Sequence, residues 1–137
     1  MHREITSRII NAALRVHCEL GNGFLEQVYH KALGIEFRHM NIQYIHEYPF
    51  SVYYRGEESG QYRADFFVEN RVIVELKAIK ALDNSHGSVV LHYLKATGNR
   101  VGLLLNFGAP SLEIRRLTRR REEQTTARSL RSLDFGD

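Results

Sequence analysis

The chain has 137 residues, 43% of them hydrophobic, which is enough for one domain with a real core and too short for two. Its 19 Lys and Arg against 16 Asp and Glu give a formal net charge of +3, a mildly basic balance that accommodates a polyanionic partner without requiring one. A lone cysteine, Cys18, excludes an intrachain disulfide, and no apolar run reaches signal-peptide or membrane-spanning length, so the expectation is a cytoplasmic protein with no membrane partner.

Apolar groups at Ile5, Ile9, Ala12 or Ala13, Val16 and Leu20 recur every three or four residues and predict a helix over residues 4–20. Gly21-Asn22-Gly23 ends it, and a second helix is expected over residues 25–40 with Val28, Tyr29, Ala32, Leu33 and Phe37 inward. From residue 42 to 54 the apolar period shortens to two and the composition turns to Ile, Tyr, Phe and Val, which predicts a strand. A polar, glycine-bearing turn over residues 55–60 returns the chain through strands at 61–68 and 72–78, an antiparallel meander closed by a turn at Glu69-Asn70-Arg71. A third helix is read over residues 82–97 with Val89, Val90, Tyr93, Leu94 and Ala96 inward. After it, residues 101–107 form an almost continuous apolar run that suits a strand buried on both faces. Residues 112–117 add an edge strand. The expected class is therefore α/β, a central mixed sheet (the meander plus a further strand) flanked by helices, in a single domain over residues 1–117. Residues 118–137 follow as a polar, Arg-rich tail, peripheral or partly disordered, whose basic patch reads as a solvated surface ahead of a dedicated phosphate contact.

Chemistry concentrates in the second and third strands. Alternation along residues 72–77 puts Ile73, Glu75 and Lys77 on one face and Val72, Val74 and Leu76 on the other, and Asp65 stands on the neighbouring strand. An acid and an amine in so apolar a strand must be paired, bound to metal or at the lip of a cleft. With Glu26 from the second helix, three carboxylates can converge, a donor set suited to a hard divalent cation such as Mg²⁺ or Mn²⁺. Lys77 would stand about 7 Å along the strand from Glu75, within reach of the same spot. Spacing alone equally allows a cross-strand ion pair on a solvent face.

Asp65, followed after nine residues by Glu75-Leu-Lys77, resembles the D…(D/E)xK signature of the PD-(D/E)XK nuclease superfamily. The run Gly23-Phe-Leu-Glu26-Gln-Val-Tyr29 looks like the motif that names the GxxExxY proteins, a small bacterial family within it. The likeness continues through Tyr62-Arg-Ala-Asp65, Val72-Ile-Val-Glu75-Leu-Lys77-Ala, Tyr93-Leu-Lys-Ala-Thr-Gly98 and Val101-Gly-Leu-Leu-Leu-Asn-Phe-Gly108, and covers residues 5–117. It implies a restriction-endonuclease-like core. Glu26, Asp65 and Glu75 would hold Mg²⁺ or Mn²⁺ with the Leu76 carbonyl as a further ligand, and Lys77 would be the catalytic amine. The implied partner is nucleic acid, DNA ahead of RNA, with a homodimer as one arrangement. Relatives place a glutamine four residues before the tyrosine of the following helix, whereas this chain has Val89 ahead of Tyr93. Two functions stay open: a metal-dependent nuclease, and a catalytically weak or inactive nuclease-fold module that binds nucleic acid or a protein.

The seven histidines show no zinc-type pairing with cysteine, and most read as surface or capping residues; His86, at the start of the helix that follows the Glu75-Leu-Lys77 strand, is the exception kept open as a residue near the cleft. Tyr29 and Tyr93 could meet nucleic acid, but aromatic residues on helix faces more often belong to the core.

Overall fold

Small residues at Ala12 and Ala13, fully buried between Ile9 and Val16, let the first helix, α1 (Arg3–Leu20), lie close against the second, α2 (Glu26–His39). Gly21, at φ +69°, stops α1, and its N–H donates to the His17 carbonyl. The computed structural model describes residues 1–120, and the remainder of the expected tail lies outside the described residues. After α2 come β1 (Tyr44–Tyr54), β2 (Glu57–Val68), β3 (Val72–Lys77), α3 (Asn84–Thr97), β4 (Val101–Asn106) and β5 (Glu113–Thr118).

The five strands form one sheet in the order β1-β2-β3-β4-β5. Neighbours are antiparallel except β3 and β4, which α3 connects as a parallel pair. Helices cover both faces. Val72, Val74 and Leu76 of β3 and Val101, Leu103 and Leu105 of β4 pack under α1 and α2, while Ile73 and Leu104 meet Val90 and Leu94 of α3 on the other side. Burial on both faces is why residues 72–76 and 101–107 are apolar almost without interruption.

Three local expectations are corrected. The stretch read as a polar turn over residues 55–60 is mostly strand: Arg55 (φ +50°) and Gly56 (φ +82°) make a two-residue left-handed turn, so Tyr54 already pairs with Glu57. Val28 is exposed, because α2 turns Tyr29, His30, Leu33, Gly34 and Phe37 inward. In α3 the buried stripe is Gly87, Val90 and Leu94; Val89 (44% exposed) and Ala96 face outward beside Tyr93.

Side-chain alternation also breaks in β1. Glu47 has φ +59°, a left-handed conformation that costs an L residue about 1–2 kcal/mol. Before it, Tyr44 and Phe66, whose rings meet edge-on at 5.5 Å, join the α1/α2 core; beyond it, Tyr48 and Phe50, with Ala64 opposite Tyr48, join the α3 core. The inversion lies opposite Asp65.

Beyond β3 the chain is held by Asn106, whose side chain is fully buried. Its Oδ1 accepts from the Ile79 and Gly108 N–H groups at 3.0 Å, and its Nδ2 donates to the Ile79 carbonyl and to Glu113 Oε1. Gly108 must be glycine because a Cβ would lie 2.3 Å from the Ile79 nitrogen. Asn106→Leu would take the partner from both half-buried N–H donors, and denaturant titration should show a loss of about 2 kcal/mol.

Candidate metal centre

The turn between α1 and α2 is locked by Tyr29. Its hydroxyl donates to the Gly21 carbonyl at 2.6 Å and accepts from the Phe24 N–H at 3.2 Å, and its ring stacks on Phe107 at 4.9 Å. The Tyr29 ring is core, as read from the sequence, and its hydroxyl fixes where α2 begins. Glu26 is therefore presented in the first turn, and His30, four residues on, projects from the same side.

His30 is 8% exposed, contrary to the reading of most histidines as surface or capping groups. Its Nε2 lies 3.2 Å from Glu26 Oε2 and 3.6 Å from Asp65 Oδ2. Its Nδ1 lies 3.0 Å from His46 Nε2, and both imidazoles pack on the Phe66 ring. One of these two facing nitrogens carries the shared proton. His46 can therefore donate to His30 when His30 Nε2 holds a proton, or accept from it when Nε2 acts as a ligand. His86, placed near the cleft from its position, caps α3 instead, its Nδ1 accepting the Asp83 N–H at 3.0 Å.

The acids stand where β2 and β3 separate. Backbone pairing between them reaches only to Phe66 and Val74. Past that point Glu75 Oε2 accepts the Asp65 N–H at 2.7 Å, and Asp65 Oδ2 accepts the Leu76 N–H at 2.8 Å. Each carboxylate thus takes the place of a ladder carbonyl and wedges the strands apart. On the far side β3 stays in register with β4 as far as Lys77 and Asn106.

Burial in this fork pushes the Glu75 carboxyl up to about 8, with the charge of Asp65 adding to the shift. Asp65 is raised too, again chiefly by burial, against the opposing Leu76 N–H and His30. The positive charge of Lys77 opposes both shifts without cancelling them. The Tyr93 phenol on α3 is raised by burial and then by the charges of Glu75 and Asp65. The fork therefore holds more negative charge than its surroundings support, a deficit that a proton or a cation relieves.

Glu26, His30 and Asp65 each offer one atom, and the three lie within 4.8 Å of one another. Two carboxylates and an imidazole suit a divalent cation of intermediate hardness. The structure brings Glu26 and Asp65 together through His30 and sets Glu75 and Leu76 beside them through backbone hydrogen bonds. His30 was missed in the sequence, although its i+4 spacing from Glu26 was the available signal.

A sequence model of the PD-(D/E)XK nuclease superfamily matches residues 3–117. The chain belongs to the PD-(D/E)XK nuclease superfamily. Its five-stranded mixed sheet with flanking helices is the α/β arrangement expected of such a PD-(D/E)XK protein. Among solved structures, that of SSO0001 is similar at a TM-score of 0.53 and 20% identity, over 78% of this chain and 56% of that one. The likeness shows a shared fold, and this PD-(D/E)XK chain corresponds to little more than half of that protein's length. No curated protein sequence matches the chain. Among the described residues no helix is long and apolar enough to cross a membrane.

Because folding raises the Glu75 carboxyl from 4.5 to about 8, this group takes up a proton on folding. Its contribution to stability is complete below pH 4.5 and is lost as pH rises through about 8. In EDTA the melting temperature of the wild type should fall across that interval. Glu75→Gln should flatten the fall, as differential scanning calorimetry at stepped pH will show.

Proposed function

We propose that the chain is a metal-dependent nuclease that hydrolyses nucleic-acid phosphodiester bonds. The observation that carries this reading is the meeting of Glu26, His30 and Asp65 at a fork where a buried Glu75 sits two residues from Lys77. In the same reading the Gly23, Glu26 and Tyr29 motif places the chain with the GxxExxY proteins, and Tyr29 gives that motif a physical purpose by setting where Glu26 begins its helix.

Glu26, His30 and Asp65 would hold Mn²⁺ ahead of the harder Mg²⁺, because one of the three donors is an imidazole, with Glu75 and the Leu76 carbonyl completing the set. The ion, when bound, supplies a Lewis acid that polarises the phosphodiester and acidifies a water. A bound cation would favour the ionised form of Glu75, whose carboxylate would then stand beside that of Asp65. The positive charge of Lys77 favours the ionised form of both acids, which suits it to orient the attacking water and to stabilise charge that develops on the phosphate. His46 fixes the His30 ring so that Nε2 stays aimed at the acids.

A second reading is favoured by one observation. Val89 is exposed on α3 and offers no hydrogen bond where relatives place a glutamine, which fits a module that binds nucleic acid or protein without turnover. Purified protein with Mg²⁺ or Mn²⁺ should cut labelled single-stranded or duplex substrates, and Glu75→Ala and Lys77→Ala should each lower the rate by at least about 100-fold. Unimpaired cleavage by both variants overturns the nuclease reading, and absence of cleavage by the wild type favours the binding module.

The two histidines have a separate readout. His46→Ala should weaken Mn²⁺ binding about tenfold in calorimetric titration, the low end of the range for groups that orient a liganding imidazole. His30→Ala should weaken it further.

A further inference from the structure

The left-handed residue Glu47 directs the outer half of β1 toward α3, and with it an aromatic cluster. Phe50 and Tyr62, partners across β1 and β2, stack at 5.9 Å, and Tyr93 of α3 stands edge-on to Phe50 at 5.0 Å and 5.9 Å from Tyr62. Together they floor an open groove of about 800 Å³ between the β1–β2 hairpin and α3. Such a volume exceeds what gaps in side-chain packing leave and falls in the range of ligand sites. Among the described residues nothing covers the rings: Tyr62 is 50% exposed and Tyr53, at the groove wall, 65%.

Three features bear on the occupant. The groove offers aromatic faces, which a nucleobase can use only when it is unpaired and unstacked. His92 and Lys95 line it and no carboxylate does, so its charge complements a phosphate backbone. It also neighbours the fork: Tyr62 lies three residues from Asp65, about 10 Å along β2, and Tyr93, which lines the groove, feels the charges of both Glu75 and Asp65.

We propose that this groove is a base-stacking subsite for one or two unpaired nucleotides of a single-stranded nucleic acid whose backbone leads into the Glu26, His30 and Asp65 corner. The subsite rests on the nuclease reading for its substrate, and its existence is read by binding alone. Tyr62 and Tyr53 present the free ring faces, Phe50 and Tyr93 brace Tyr62 from below, and Lys95 meets the phosphates.

Fluorescence anisotropy of the full chain with a labelled oligothymidine and with a duplex of equal length, in Ca²⁺ to prevent turnover, tests the proposal. The single strand should bind more tightly. Tyr62→Ala should weaken single-strand binding about tenfold or more, the usual effect of losing one stacked base, and leave duplex binding unchanged. Tyr62→Trp should restore it. Tyr54→Ala, exposed on the same hairpin but outside the groove, should have no effect. Circular dichroism of Tyr62→Ala should match the wild type, and Tyr53→Ala provides an independent variant if it does not.

Single-strand affinity unchanged in both Tyr62→Ala and Tyr53→Ala overturns the subsite even when Mg²⁺-dependent cleavage persists. Weakened binding in a protein that never cleaves leaves the subsite standing and removes the nuclease reading. Self-association that Tyr62→Ala abolishes, without strand binding, assigns the groove to a second copy and overturns the proposal.

Discussion

Two carboxylates that hydrogen-bond across a gap between strands hold the functional part of this molecule together. Asp65 takes the Leu76 N–H and Glu75 takes the Asp65 N–H, so backbone donors that would otherwise be orphaned at the end of a ladder are satisfied by side chains. The arrangement forces two acids into a largely buried setting, and the charge of Asp65 adds to the desolvation of Glu75. Replacing both with apolar groups would relieve the charge and leave the N–H groups without partners. The separation of β2 from β3 and the raised Glu75 carboxyl follow from that single wedge.

The rest of the fold keeps the wedge in place. Parallel pairing with β4 holds β3 on the side away from the gap, and Asn106 and Gly108 tie the chain after Lys77 to the end of β4. On one side Tyr29 sets where α2 begins, and so where Glu26 and His30 meet Asp65. On the other, α3 places Tyr93 within the field of the acids. The corner is thus walled by one helix from each face of the sheet. Glu47 reverses which way β1 faces, sending His46 toward His30 and Phe50 toward Tyr93. One left-handed residue therefore serves the metal corner and the aromatic groove together.

Much of the architecture was legible in the residues. The three-and-four spacing of α1, the apolar runs of β3 and β4 and the meander rest on local periodicity, which burial on one or two faces imposes directly. Of the candidate site, Asp65, Glu75 and Lys77 stood out because charge in an apolar strand is anomalous wherever it occurs. His30 did not stand out, since a histidine on an amphipathic helix carries no mark of burial until Phe66 and His46 are packed against it. Val89 was read as core because its stripe is apolar; it lies outward because the α3 core stripe is centred on Val90 and Leu94.

By itself the sequence determined the elements, their order and the acids on which the chemistry turns, because those features depend on period and composition within a few residues. Tertiary structure alone decided that Glu26, His30 and Asp65 share one corner, that His46 stands behind His30, and that three aromatic rings form an open floor beside them. These relations join groups as far apart in sequence as Phe50 and Tyr93 through a kink at Glu47 and a wedge at Asp65, and neither leaves a periodic trace in the chain.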